Sequence, residues 1–114
     1  MKINKELLKG STAVMILSML SRKDMYGYQI MQELKMMSDN TFDLKEGTLY
    51  PLLHTLENNN AIECYWFDTE EGRRRKYYKI TDTGKEMLSE KRQEWSVYVQ
   101  AVNSVIGGVL NEDL

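Results

Sequence analysis

"AIECYWFDTEEGRRRKYYKI", residues 61–80, decides how this chain is read. Two runs rich in β-branched and aromatic residues, AIECYWF and RKYYKI, flank DTEEG, which has the composition of a turn, so the stretch reads as a β-hairpin. Side chains alternate across a strand, which puts Ile62, Cys64 and Trp66 on one face and pairs Tyr78 with Ile80 on the other strand. Tyr78 is expected to pack inward, and Tyr77 is left on the outer side. Cys64, by the same count, is expected to be a small buried hydrophobe rather than a reactive thiol. Arg73, Arg74, Arg75 and Lys76 leave the turn as an unbroken run of cations. Yet the chain holds 15 Lys and Arg against 17 Asp and Glu, a net charge of −2.

Working upstream, "NKELLKGSTAVMILSMLSR" (4–22) carries Leu7, Val14, Leu17 and Leu20 at helical spacing, which predicts one helix with a wide apolar face. "KDMYGYQIMQELKMM" (23–37) predicts a second helix beginning near Tyr26, with Ile30, Leu34 and Met37 spaced at four and three. The methionines concentrated on these helices are expected to fill core gaps. "SDNTFDLKEG" (38–47) is polar and reads as a loop. A third helix follows in "TLYPLLHTLENNN", with Leu49, Leu52, Leu53 and Leu56 inward. Pro51 is comfortable only near a helix start, which places that start at Gly47 or Thr48, with Thr48 as N-cap. Asn58, Asn59 and Asn60 end it.

Downstream of the hairpin, the sequence from Thr81 has no breaker until Gly107 and Gly108, and Thr81 is a natural N-cap. The resulting helix would be roughly 38 Å long at about 1.5 Å per residue. Leu88, Trp95, Val102 and Val109 recur every seventh residue, with Tyr98 and Val105 between them, while Lys91 interrupts that second row. Such a stripe needs cover, most simply its own copy in a homodimer.

Length and composition bound the remaining possibilities. The chain has 114 residues, 42% hydrophobic and 28% charged, which fits one globular domain. No run approaches the ~20 apolar residues of a membrane span, and the N-terminal stretch lacks the apolar centre of a signal peptide, so a cytoplasmic location and no membrane partner are expected. One cysteine and one histidine exclude an intrachain disulfide and a cysteine-cluster zinc site, and although Asp, Glu and Lys alone can build an enzyme, no motif for one is present. No cofactor or metal is expected, and no enzymatic activity. Residues 1–80 carry 12 cations against 11 anions, and residues 81–114 carry 3 against 6. Phosphate responds to local potential, so the acidic total does not exclude nucleic acid.

Three helices, a hairpin and a long helix make a mainly α fold with a small β-hairpin. Its order is that of a winged helix-turn-helix domain (1–80) followed by a C-terminal dimerisation helix (81–114). In a winged helix the third helix enters the major groove of double-stranded DNA and the hairpin, the wing, lies along the backbone. The cation run then has a role: guanidinium groups at the wing bind phosphate and displace counterions. Alternation lets about two of the four face DNA at once. The competing reading is a solvated surface in which the run balances Asp68, Glu70 and Glu71.

Three segments, "YGYQIMQEL", "GTLYPLLHTLE" and "GRRRKYYKITDTGKEML", resemble the signature segments of PadR-type transcriptional regulators, in their usual order and within a likeness covering about 7–105. The single C-terminal helix is similar to the compact, LmrR-like branch. The resemblance implies a dimeric winged-helix repressor on a palindromic operator. It places the recognition helix at 48–58, with Thr48 and Tyr50 at its groove-facing end and His54 one turn on. For His54 the plain alternative is a solvent histidine with no contact. Lys45, Tyr28 and Gln29 are candidates for backbone contact, although Tyr26 and Tyr28 equally suit packing around Gly27. "ENNNAIE" departs from the glycine and leucine of many relatives and affects only the local turn.

The same branch implies an effector site. Trp95 corresponds to a tryptophan that faces its twofold mate and stacks a planar aromatic molecule. Leu7 and Ala13 from the first helix, and Lys91, Tyr98, Val99 and Val102 from the last, would line the site. Lys91 stands where relatives have a small residue, and Val99 where an acidic group would suit cationic drugs. The plain reading of Trp95 is a dimer-core residue. A protein-interaction module without DNA is the alternative function.

Overall fold

The core explains the fold. Ile16, Leu17 and Leu20 on one helix, Ile30 and Leu34 on a second, and Leu49, Leu53 and Leu56 on a third recur at intervals of three and four and are all buried. Ile62, Tyr78 and Ile80 close this core from the sheet, and Leu88 from the last helix. The computed structural model describes residues 3–8 and 10–107. In chain order its elements are α1 (Lys5–Leu8), α2 (Thr12–Leu20), β1 (Met25–Tyr26), α3 (Gly27–Met37), α4 (Glu46–Asn58), β2 (Ile62–Asp68), β3 (Arg74–Ile80) and α5 (Asp82–Ile106). The expected mainly α fold with a hairpin is therefore what forms, with one strand more than the sequence reading contained. None of the helices among the described residues is long and apolar enough to cross a membrane.

The first predicted helix is broken in two. Gly10 adopts φ of 92°, a left-handed conformation that ends α1, and the Ser11 N–H turns back to the Leu8 carbonyl at 3.1 Å. Only α2 beyond it carries the buried stripe.

The start of α4 also differs from expectation. Its N-cap is Lys45, in extended backbone, and the Lys45 carbonyl accepts from Thr48 N–H at 3.0 Å and Leu49 N–H at 2.9 Å. Thr48 lies inside the first turn and is not the cap. Pro51 is consequently interior, and the carbonyl that its missing N–H leaves behind belongs to Gly47. Gly47 is solvent-exposed with no heavy atom near its missing Cβ, so water can serve that carbonyl. The helix ends as the asparagines predict: Asn60 takes φ of 61°, and Ala61 N–H reaches back to the Leu56 carbonyl at 2.9 Å.

The hairpin registers Ile62 on Ile80, Cys64 on Tyr78 and Trp66 on Lys76, in agreement with the face assignment. Cys64 is half-buried rather than buried, and burial with the neighbouring Glu57 pushes its thiol pKa up. The additional strand is β1, which pairs with β3 to give a sheet of order β1-β3-β2.

Thr81 caps α5 as expected: its hydroxyl accepts from Gly84 N–H at 3.0 Å and donates toward the Asn60 and Ala61 carbonyls. The last buried residue of α5 is Leu88; the Arg92 guanidinium still donates to the Ser18 hydroxyl of α2 at 3.1 Å, and the last turns beyond project from the body. The projection makes the molecule 58 Å long and raises its radius of gyration to 16.2 Å, against about 13 Å for a compact domain of this size. Val97, Tyr98, Val105 and Ile106 are exposed along it. Gly108 and Val109 lie outside the described residues.

Candidate nucleic-acid interface

The outer side of α4 presents Thr48, Tyr50 and His54, all exposed, at intervals that keep Tyr50 and His54 on one face. The Tyr50 ring is not a free arm. It lies over Gly27 at the start of α3, where a Cβ would overlap its hydroxyl and ring. A Cβ at Gly27 would have to push aside the outer end of this ring, and Tyr50, which packs α4 on α3, leaves 41% of its surface exposed and so has room to move. Gly27→Ala should therefore destabilise the fold by about 1 kcal/mol, the low end for overpacking, because the ring can shift toward solvent. Combining it with Tyr50→Ala should restore most of the loss in a thermal-unfolding double-mutant cycle; additive losses would show that the two do not touch.

Other candidate residues around the recognition helix are engaged in different ways. Lys45 donates to Asp43 at 3.1 Å, an exposed pair that a phosphate can displace. Tyr28 is exposed and accepts from the Gln32 amide at 2.7 Å, whereas Gln29 is half-buried.

At the wing the cations divide by strand alternation. Its tip is closed by Thr69, whose hydroxyl accepts from Arg73 N–H at 3.1 Å and whose own N–H donates to the Arg73 carbonyl at 2.8 Å, with Gly72 at φ of 80°. Arg73 and Arg74 are exposed. Arg74 lies over Trp66, 5.2 Å from the ring centroid, and 3.7 Å from Asp68. Lys76 shares that face, beside the Tyr78 ring, and the charge interaction with Tyr78 pushes its pKa up. Arg75 faces the opposite way, 4.3 Å from the Tyr26 ring.

On Arg75's side an aromatic cluster gathers around Tyr77, which stacks on Tyr65 at 5.7 Å and meets Tyr26 and Phe67 edge-on at 5.4 and 5.6 Å. The Tyr65 hydroxyl donates to the Asp24 carboxylate at 2.7 Å, and that hydrogen bond, aided by burial, pushes its pKa up to about 12.

An exposed helix after a helical pair, with a cationic two-stranded wing beside it, is the geometry of a DNA reader. The decisive comparison is with protein families, where residues 16–90 match the "Transcriptional regulator PadR-like family". The chain belongs to the PadR-like family. It is a family of transcriptional regulators, not enzymes. Among relatives, a protein of Lysinibacillus sphaericus is 36% identical over 107 residues, covering 94% of this chain and 98% of that one. Among solved structures, a transcriptional regulator from Clostridium thermocellum is 34% identical with a TM-score of 0.81, covering 88% of this chain and 97% of its own. A PadR-like transcriptional regulator from Bacillus cereus is likewise 34% identical, with a TM-score of 0.80 and coverages of 91% and 99%.

In this PadR-like chain the residues expected around Trp95 come together only in part. Leu7, Val14, Lys91, Glu94, Trp95 and Tyr98 line a recess of about 300 Å³ between the N-terminal segment and α5. Trp95 and Tyr98 are stacked with centroids 5.9 Å apart. Ala13 packs against the core, and Val99 and Val102 are half-buried outside this lining. Glu94 escaped the sequence reading although it stands three residues from Lys91 and four from Tyr98, the spacing that puts all three on one helical side. Tyr26, Tyr65 and Phe67 escaped as a cluster because only strand pairing brings them together.

Proposed function

We propose that this PadR-like regulator is a cytoplasmic homodimeric repressor that binds a palindromic operator in double-stranded DNA and is modulated by a planar aromatic molecule held at the dimer interface. The observation that carries the DNA part is the pairing of an exposed α4 face with exposed Arg73 and Arg74 on a hairpin that shares its core. Thr48, Tyr50 and His54 then serve groove or phosphate contacts, and Arg73, Arg74 and Lys76 the backbone, with Lys45, Tyr28 and Gln29 at the margin. Dimerisation is supported by the apolar residues that α5 leaves exposed, since a patch of this kind marks an interface. Residues 1–80 form the DNA-binding part and residues 81–114 the dimerisation part. Duplexes selected from a random pool and assayed by mobility shift test the reading; enrichment of none at low salt sinks it. That outcome would favour the protein-interaction module, for which the Arg74–Asp68 pair and the acidic pI of 5.4 speak.

The effector reading is supported by the recess and by the Trp95 ring, which is 46% exposed beside it. An aromatic plate between two such rings removes their faces from water and gains stacking. Planar dyes should quench the tryptophan fluorescence of the dimer, and Trp95→Ala should abolish the effect. Quenching that persists in Trp95→Ala would point to Trp66 or to non-specific binding and end this assignment.

A further inference from the structure

We propose that the run Asp24-Met25-Tyr26-Gly27 is a positioning device that fixes the wing against the recognition helix, with Tyr77 as its hub; this rests on the DNA-binding reading above. Each residue of the run holds a different part of the reader. Asp24 accepts the hydrogen bond from Tyr65 on β2, across 41 residues of sequence. Met25 is buried and pairs with Tyr78, which anchors β3 to the core. Tyr26 pairs with Tyr77 and meets its ring edge-on, while the Arg75 guanidinium lies 4.3 Å from the centroid of the Tyr26 ring. Gly27 gives the Tyr50 ring of α4 its seat. Besides the loop at Asn59 and Asn60 and the packing of Ile62, Cys64 and Tyr78 at the hairpin's base, the wing therefore reaches α4 by a further path, made of packed rings and a carboxylate hydrogen bond.

A hairpin alone is a weak element. A wing joined to the body only through its own strands would leave its cations free to roam relative to α4. Non-specific DNA binding tolerates such freedom, because it depends on phosphate neutralisation alone. Specific binding requires groove and backbone contacts at once, so it depends on the distance between wing and helix. Tyr77, with three ring neighbours, is where loosening would act most. It acts through the placement of Arg73 and Arg74 and need not touch DNA.

The test compares the best duplex selected from a random pool with a scrambled duplex of equal length, each titrated with salt. Tyr77→Leu should lower the ratio of selected to scrambled affinity by about tenfold, the scale of one or two aromatic pairs. Its affinity for the scrambled duplex and the salt slope should stay unchanged, and Tyr77→Phe should restore the ratio to within about twofold, since the rings remain. Asp24→Ala, at an exposed site, should lower the ratio by about threefold without loss of stability sufficient to unfold the chain, and decides the matter if Tyr77→Leu does not fold. Equal losses on both duplexes, a slope reduced by about one, or a Phe variant as poor as Leu would make Tyr77 a direct DNA contact and overturn the proposal. Unchanged ratios in Tyr77→Leu and Asp24→Ala would overturn it as well. If the unaltered protein selects no duplex, the DNA-binding reading falls first and the inference with it.

Discussion

Between 50 and 200 mM salt the affinity for DNA should fall by about 10³ to 10⁵, the loss expected when roughly six to ten phosphates are neutralised by a dimer. The expectation is counter-intuitive for a chain of net charge −2. It follows from where the charge lies. The Debye length is about 10 Å at 0.1 M salt, whereas the molecule is 58 Å long and its acidic residues beyond position 80 lie on or after α5. DNA at the wing would therefore feel Arg73, Arg74 and Lys76 far more than the distal carboxylates. Asp68, Glu70 and Glu71 at the wing compete for these cations, but all three are exposed, and the Asp68–Arg74 pair, at 3.7 Å, is of a kind worth about 0–1 kcal/mol. Phosphate, with released counterions, outweighs it. Arg73→Gln with Arg74→Gln should weaken binding to all duplexes alike and reduce the slope by about 0.9 for each phosphate that is no longer neutralised. Titration of mobility shifts or fluorescence anisotropy over this salt range measures both quantities. Affinity that hardly changes with salt, or a double variant with the unaltered slope, would remove the wing from the interface.

What was legible in the sequence was whatever repeats. The apolar spacings around Leu17, Ile30 and Leu53 identify three helices because each needs a buried face. The alternation at Cys64 and Tyr78 identifies the hairpin, and Thr81 shows as a cap because its hydroxyl chemistry is local. Features that depend on a single residue were harder to read. Gly10 breaks the first helix by its backbone conformation within an apolar pattern that continues past it. The start of α4 is set by the Lys45 carbonyl, and no side chain signals it. β1 is two residues long, too short to show alternation. Its absence from the sequence reading also hid the Tyr77 cluster, because Tyr26 lies some fifty positions from Tyr77 and nothing periodic links them. The recess at Trp95 was half legible: the α5 residues Lys91, Trp95 and Tyr98 follow from helical spacing, while Val14 and Gly10 reach it through the turn that Gly10 makes.

The strongest effect on stability should come from a single methyl group at Gly84. Helix propensity argues for a gain there, because replacing a helical glycine by alanine ordinarily stabilises by about 0.5–1 kcal/mol and also restricts the unfolded chain. Packing argues for a loss. Gly84 is buried in the first turn of α5, where a Cβ would overlap the Ala61 carbonyl oxygen and crowd the Ile80 side chain. Ala61 cannot give way cheaply. It is fully buried, its carbonyl accepts from Thr81 N–H at 3.0 Å, and its own N–H holds the end of α4 through the Leu56 carbonyl. Moving it would disturb both the cap of α5 and the stop of α4, so backbone rather than a flexible side chain must yield. Gly84→Ala should then lose about 3 kcal/mol, the upper end for overpacking. For a domain of this size that is a fall in Tm of roughly 10–20 °C. Thermal unfolding at a fixed protein concentration measures it, since the Tm of any self-associating chain depends on concentration. A Tm equal to or above that of the unaltered protein would mean that propensity wins and that the α5–Ala61 approach is looser than the geometry states. A large fall would show that the start of α5, the end of α4 and the end of β3 meet at Ala61 too closely to admit one methyl group.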